Sequence, residues 1–212
     1  QGVSSAASDV YKRQLLDRQL QRLEHKVLRL AVFGRVGVGK SSLINALVGQ
    51  RLLETDVAHG STRRQQAVTW PLKLDGLQRV ELIDTPGIDE IDAAGRSRLA
   101  TRVAMGVDLV LLVIDSDLTR CDRDALETLQ ASGKPVRLVL NRSDRWPEEQ
   151  LPELLDSIRS RLPSELPLTA VAAAPRQPRL DADGRVRSSA APARVSNLCL
   201  LYTSPSPRDL ST

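Results

Sequence analysis

The chain has 212 residues and a formal net charge of +4, with 41% of its residues hydrophobic and 26% charged. These are globular proportions for one domain of ordinary size, and they exclude a collagen-like repeat and an acidic disordered chain. Two cysteines are too few for a disulfide scaffold and suit a reducing compartment. No apolar run reaches the roughly 18 residues needed to span a bilayer, so a soluble, cytoplasmic domain is expected.

Both ends stand apart from the rest. The opening QGVSSAASDVYKRQ and the closing CLLYTSPSPRDLST carry no hydrophobic period that fits a packed element. They resemble translated sequencing-adapter read-through, so residues 1–14 and 199–212 are expected to be non-native scars without stable packing. The single methionine, Met105, lies mid-chain, and the expectation is of a truncated reading frame.

Between the ends, apolar periodicity sets the elements. Leu15, Leu16, Leu20, Leu23 and Val27 recur at helical spacing, which predicts a leading amphipathic helix over 15–26. Leu28 to Phe33 reads as a buried strand ending at Gly34. Ser42 to Val48 reads as a helix stopped by Gly49. Leu53 to Gln66 is loop-like. Ala67 to Leu74 and Arg79 to Ile83 flank Asp75-Gly76, a hairpin signal. Ala93 to Val103 is helical, Asp108 to Ile114 a central strand, and Arg123 to Gln130 a helix with Gly133 just past its end. Pro135 to Leu140 is another buried strand. Glu148 to Arg161 is a helix opened by Pro147, and Leu166 to Ala172 is the last strand. The alternation predicts an α/β domain over 27–174 with a mostly parallel, six-stranded sheet and helices on both faces. Residues 175–198 hold three prolines, and five Arg against two Asp; they read as a disordered basic segment that leaves the domain's terminal helix missing or disrupted.

Three motifs carry chemistry. Gly34-Arg-Val-Gly37-Val38-Gly39-Lys40-Ser41 fits G-x-x-x-x-G-K-[ST] and lies between a strand and a helix, as a phosphate-binding loop requires. Its glycines let the backbone turn its N–H groups onto phosphate oxygens, and the helix N-terminus favours the anion. Lys40 reaches the β- and γ-phosphates, Ser41 offers a hydroxyl to Mg²⁺, and Ser42 is a candidate for the α-phosphate. Asp84-Thr-Pro-Gly87 ends the strand at Ile83: the carboxylate can hold Mg²⁺, and the Gly87 N–H can meet a γ-phosphate. Asn141-Arg142-Ser-Asp144 follows the strand at Leu140. Asp144 can accept from N1–H and N2–H₂ of guanine, a donor pair that adenine lacks, and Asn141 braces the loop.

With these three motifs in this order, residues 27–174 resemble the P-loop GTPases of the Era/TrmE-like, translation-factor-related group. The resemblance implies a G domain that binds GTP or GDP with Mg²⁺ and hydrolyses GTP slowly as a molecular switch. It further implies that Thr62 is the switch threonine that binds Mg²⁺ beside the γ-phosphate, and that the Thr169-Ala170 backbone meets guanine O6. The family's N-K-x-D has Arg142 in place of Lys. Ras-like members carry a water-orienting Gln after D-x-x-G where this chain has Ile88, and potassium-activated members carry Asn where this chain has Gly37. Arg35 and Arg63 are candidates for an arginine finger in cis. A protein partner or G-domain dimer is expected to complete the site; RNA or ribosome is a further partner class, and membrane association would come only through a C-terminal domain beyond this chain. Two rival readings stay open: a non-hydrolysing GTP-binding module, favoured by Ile88 and Gly37, and a P-loop ATPase, disfavoured by Asn141 and Asp144. Cys121 sits beside Arg120 and Arg123, a setting that can lower a thiol pKa, but it reads as incidental, and Trp70 reads as sheet packing.

Overall fold

The computed structural model describes residues 26–54, 65–89, 91–180, 186–196 and 198. The expected leading helix falls outside these residues except for its last position, and Thr62, Arg63 and both terminal segments lie outside them altogether.

Strand β1 (Val27–Gly34) is a run of β-forming residues with no interior Pro or Gly. Along it Leu30 and Val32 pack to one side while Ala31 and Phe33 pack to the other, the two-residue alternation of a strand buried on both faces. It leads through the glycine-rich loop into helix α1 (Lys40–Val48), which Gly49 closes in the left-handed conformation at φ 75°. Strands β2 (Gln66–Trp70) and β3 (Arg79–Asp84) form the hairpin signalled by Asp75-Gly76, with β2 stopping short of the predicted Leu74. Next come α2 (Ala93–Gly106), β4 (Leu109–Ile114), α3 (Arg120–Ala131), β5 (Val136–Leu140), α4 (Gln150–Arg159) and β6 (Leu168–Ala170).

Helix α3 starts three residues earlier than the apolar pattern indicates. Thr119 accepts from the Asp122 N–H, and Asp122 accepts in return from the Thr119 N–H, a reciprocal cap that fixes the first turn.

The six strands order as β2-β3-β1-β4-β5-β6. All pairings are parallel except β2 with β3 at one edge. One face carries α2, α3 and α4 over Phe33, Leu112, Leu138 and Leu140. The other carries α1, whose Leu43, Ile44 and Leu47 cover Leu30, Val32, Leu111 and Val113. Trp70, 4% exposed, packs into this second core, as the sequence reading expects. The α/β class, the six-stranded mostly parallel sheet and helices on both faces are therefore as expected.

The segment after Ala174 departs from expectation. Instead of a structureless stretch, Arg176–Leu180 (β7) and Val186–Ala190 (β8) pair antiparallel. An isolated bridge between Ala172 and Arg194 ties the base of this hairpin to the end of β6. Pro178 is tolerated because each strand of a two-stranded ribbon is an edge. Beyond it, Leu198 is fully buried in the α1-side core, where Val195 also packs. Asp183-Gly184, a turn dipeptide between two short runs, is the sequence signal that the reading above missed.

Candidate functional site

Parallel pairing places the carboxyl ends of β1, β3, β4 and β5 along one edge of the sheet. The order reverses at β1, since the chain passes to β3 on one side and then to β4 on the other. Open α/β sheets bind ligands in the crevice at such a reversal. Gly34, Asp84, Asp115 and Asn141 stand at or just past these four strand ends.

The loop from Gly34 to Gly39 takes its shape from glycine. Gly37 has φ 78° and Gly39 φ 89°, a region that costs an L-residue about 1–2 kcal/mol. A Cβ on Gly39 would stand 2.4 Å from Asn141 Nδ2, and one on Gly34 2.4 Å from the Val113 carbonyl oxygen. Val38 is buried in the α1-side core and anchors the loop from below. Lys40, only 8% exposed, folds over the loop and donates to the carbonyls of Gly34 (3.0 Å) and Arg35 (2.7 Å). Its ammonium is thus held at the mouth of the loop. Ser42, half-buried, follows on the first turn of α1.

Ser41 and Asp84 come together although 43 residues separate them: Ser41 Oγ donates to Asp84 Oδ2 at 2.7 Å. A hydroxyl and a carboxylate at this spacing are hard oxygen donors of the kind Mg²⁺ takes beside phosphate oxygens. Mg²⁺ at phosphate sites needs only one or two carboxylates. No group of three or more His, Cys, Asp or Glu that could hold a metal occurs among the described residues. Asp84 is set by its register opposite Val32, and the next residue, Thr85, donates its hydroxyl to the Val32 carbonyl at 2.8 Å. Gly87 lies against Val36 so closely that a Cβ would come within 2.1 Å of Val36 Cγ2, and Asp89 Oδ1 accepts from the Val36 N–H at 2.6 Å. Ile88 is fully buried in the core beneath α2.

Asn141 joins two of the motifs. Its Nδ2 donates to Val38 O (2.9 Å) and Gly39 O (3.4 Å), and its Oδ1 accepts from the Ala173 N–H (3.1 Å). Arg142 sits at φ 59°, a left-handed conformation that turns the chain into a single 3₁₀ turn over Ser143–Arg145 and sets Asp144 at the loop's crest. Asp144 is half-buried, and its Oδ2 accepts from the Arg176 N–H at 3.4 Å.

Thr169 and Ala170 do not reach this site. They pair in register with Val139 and Leu140, inside the sheet. Above them the Val171 N–H goes to Leu140 O, the Ala172 N–H to Arg194 O and the Ala173 N–H to Asn141. The loop that faces Asp144 therefore begins at Ala173, and Ala174 is its first exposed residue. The T-A dipeptide resembles the expected S-A pair, but strand register puts it four residues too early.

Two acidic residues that motif reading did not single out complete the arrangement. Asp115, the first polar residue after β4, accepts from Arg142 Nη1 at 2.7 Å and from Arg35 Nη2 at 3.1 Å. Asp122, fully buried, accepts from Arg35 Nε at 3.1 Å. Burial alone would lower the Arg35 guanidinium pKa, yet attraction to and hydrogen bonding with Asp122, with Asp115 adding to it, raise it instead. Arg35 is therefore a tether of the loop, contrary to its expected candidacy as a finger. Burial raises the Cys121 thiol pKa, against an opposing pull from Arg96, which fits an incidental cysteine.

The strand order, the glycine-rich loop and the Ser41–Asp84 pair define the class: a P-loop nucleotide-binding α/β domain. Comparison with known proteins carries this further. The chain belongs to the 50S ribosome-binding GTPase family, which matches residues 29–142. It is 43% identical over 121 residues to GTPase Der of Rhizobium johnstonii, covering 54% of this chain and 25% of that protein. It is 37% identical over 132 residues to GTPase Era of Synechocystis, covering 59% of this chain and 40% of that protein. The chain thus spans between a quarter and two-fifths of the length of these relatives.

Among solved structures, a point variant of Era from Aquifex aeolicus bound to GDP and AlF₄⁻ superposes at a TM-score of 0.57. Its sequence identity is 25%, over 70% of this chain and 52% of that one. Era in complex with MgGDPNP and nucleotides 1506–1542 of 16S ribosomal RNA shares the fold at a TM-score of 0.62 and 23% identity, over 87% of this chain and 61% of that one.

Proposed function

We propose that this chain is the G domain of a guanine-nucleotide switch that binds GTP and GDP with Mg²⁺ and hydrolyses GTP slowly. The observation that carries the reading is Asn141. Its side chain ties the loop bearing Asp144 to the carbonyls of Val38 and Gly39, so a base-selecting carboxylate is held at fixed distance from a phosphate loop. Lys40 and the amides of Gly37 to Ser42 would take the β- and γ-phosphates. Ser41 and Asp84 would take Mg²⁺, joined by Thr62 once the γ-phosphate is present. Asp144 would accept from N1–H and N2–H₂ of guanine, and the Ala174 N–H would meet O6.

Gly87 is the residue proposed to sense the γ-phosphate through its N–H, moving off Val36 to do so. Hydrolysis needs, besides this electrostatic frame, an oriented water. Burial of Ile88 favours a second reading, in which the isolated chain binds GTP and does not turn it over. Ribosomal or RNA partners are proposed from family membership and the Era neighbours, with a cytoplasmic site of action. Among the described residues no helix is long and apolar enough to cross a membrane.

Two measurements test the reading. Calorimetry with GDP, GTP and ATP is expected to show guanine nucleotides binding at least about a hundredfold more tightly, since Asp144 offers two charge-assisted bonds of roughly 1.5–3 kcal/mol each. Single-turnover hydrolysis then separates the switch from the non-hydrolysing module. Equal affinity for ATP and GTP overturns both.

A further inference from the structure

We infer that Asp115 is a positioning residue that locks the base-selecting loop to the phosphate loop through Arg142 and Arg35. The inference rests on the guanine-nucleotide reading above. The two oxygens of this one carboxylate are divided between the loops: Oδ2 takes Arg142 Nη1 at 2.7 Å and Oδ1 takes Arg35 Nη2 at 3.1 Å. Each arginine belongs to the loop it steadies, Arg35 being the second residue of the phosphate loop and Arg142 the second of Asn-Arg-Ser-Asp.

The partners of this carboxylate are themselves fixed. Asp115 follows directly on β4, the strand between β1 and β5, so its backbone lies midway between the two loops. Arg35 is anchored a second time by Asp122, whose other oxygen is committed to the cap of α3 through the Thr119 N–H (3.0 Å) and Oγ1 (2.6 Å). Arg142 holds a left-handed backbone, φ 59°, which an arginine adopts only when its surroundings compel it. Asp115 holds its guanidinium while the Ser143 N–H bonds to Val171 O, and the turn so held presents Asp144. The chain of contacts therefore runs from Asp144 through the turn to Arg142, Asp115, Arg35 and the phosphate loop. It parallels the Asn141 contact but works through charge.

The consequence is kinetic. A nucleotide held at both ends leaves when either loop opens, and a clamp between the loops makes the two openings one event. Replacing Asp115 by Asn keeps the shape and removes the charge that the two arginines share.

The test uses the full chain in four forms: unaltered, Asp115→Asn, Arg142→Gln and the double variant, with Arg142→Lys as a conservative control. Release of a fluorescent GDP analogue is timed after mixing with excess GDP, and thermal unfolding is followed alongside. The single variants are expected to release GDP about tenfold faster than the unaltered chain, and the double variant no faster than the quicker single. Arg142→Lys, which keeps a cation near Asp115, is expected to release it more slowly than Arg142→Gln.

A purely structural role would lower the unfolding midpoint of each variant with independent, multiplicative effects on release. Multiplicative effects, or unchanged release in Asp115→Asn, overturn the clamp. If Asp115→Asn does not fold, the comparison of Arg142→Gln with Arg142→Lys decides, and equal release rates overturn it. If the unaltered chain binds no GDP, the guanine-nucleotide reading itself fails, a result distinct from the loss of the clamp.

Discussion

Removing the Asn141 side chain should loosen two loops at once. Asn141→Ala takes away the donor to Val38 O at 2.9 Å and the acceptor for the Ala173 N–H at 3.1 Å, at a residue only 1% exposed. The longer contact to Gly39 O, 3.4 Å, adds little. A buried backbone group left without its partner costs about 1–3 kcal/mol. Two such groups, with water entering from the nearby crevice, give roughly 2–4 kcal/mol against a typical domain stability of about 5–15 kcal/mol. At about 2–4 °C per kcal/mol for a chain of this size, the unfolding midpoint should fall by roughly 5–15 °C. Asn141→Asp is the sharper probe, because it keeps the acceptor for Ala173 while turning a carboxylate oxygen onto the Val38 and Gly39 carbonyls. It should be at least as destabilising as Ala at pH 7. Circular dichroism melts of the three proteins, with and without GDP, make the comparison. A midpoint for Asn141→Ala within about 2 °C of the unaltered chain would refute the claim that this side chain joins the loops.

Five further outcomes follow from the same geometry. Lys40→Ala should nearly abolish binding of Mg·GTP, and Ser41→Ala should weaken it more with Mg²⁺ than without, both read by calorimetry. Asp144→Asn should shift preference from guanine toward xanthine nucleotides, read by competition. The exposed Arg161–Asp117 pair, in which the hydrogen bond from Arg161 holds the Asp117 carboxyl below its ordinary value, adds stability above the unfolded pKa of about 3.9 and loses it as pH falls through the depressed folded value. Arg161→Ala should therefore cost no more than about 1 kcal/mol at pH 7, the scale of surface pairs, and progressively less as pH falls through the depressed Asp117 value. Single-turnover hydrolysis of GTP by the isolated chain should run near or below the intrinsic Ras rate of about 3–5 × 10⁻⁴ s⁻¹, rising less than about threefold when K⁺ replaces Na⁺.

The parts that sequence made legible are those where local chemistry and tertiary position coincide. Gly34 to Ser41 needs positive φ at its glycines and a helix behind it, and both requirements show in the residues themselves. Asp108 to Ile114, apolar on both faces and rich in β-branched residues, suits the centre of a sheet. What escaped notice depends on register or on contacts across the chain. Thr169-Ala170 has the right residue types for the base loop, but its height is set by pairing with Val139 and Leu140, which single-sequence reading cannot supply. Asp115 and Asp122 carry no motif, although Asp115 is the first polar residue after a buried strand and Asp122 closes a Thr-x-x-Asp cap. The pairing of Arg176–Leu180 with Val186–Ala190 is hidden in the sequence by a composition rich in Pro and Arg, which reads as disorder.

Under the proposed function, the placement of Ile88 and of Arg35 bears on a single step, the hydrolysis of GTP. Ile88 stands where a water-orienting glutamine would be expected, and it is fully buried beneath α2. Bringing it to the phosphate loop would expose an apolar side chain at a cost of roughly 1.5–3 kcal/mol and place no hydrogen-bonding group there. Arg35 is a cation within the loop itself, but Asp115 and Asp122 hold its guanidinium on the α3 side. Freeing it would leave Asp122 with a buried charge facing only the Thr119 cap, which is expensive. The same contacts that fix the loops thus remove Arg35 as a local candidate for accelerating hydrolysis. Under the proposed function, acceleration falls to groups outside the described residues, either in the segment 55–64 that contains Thr62 and Arg63 or on a partner. Tight binding and slow turnover are then two results of one arrangement, in which the charges that could move in the transition state are already committed to the ground state.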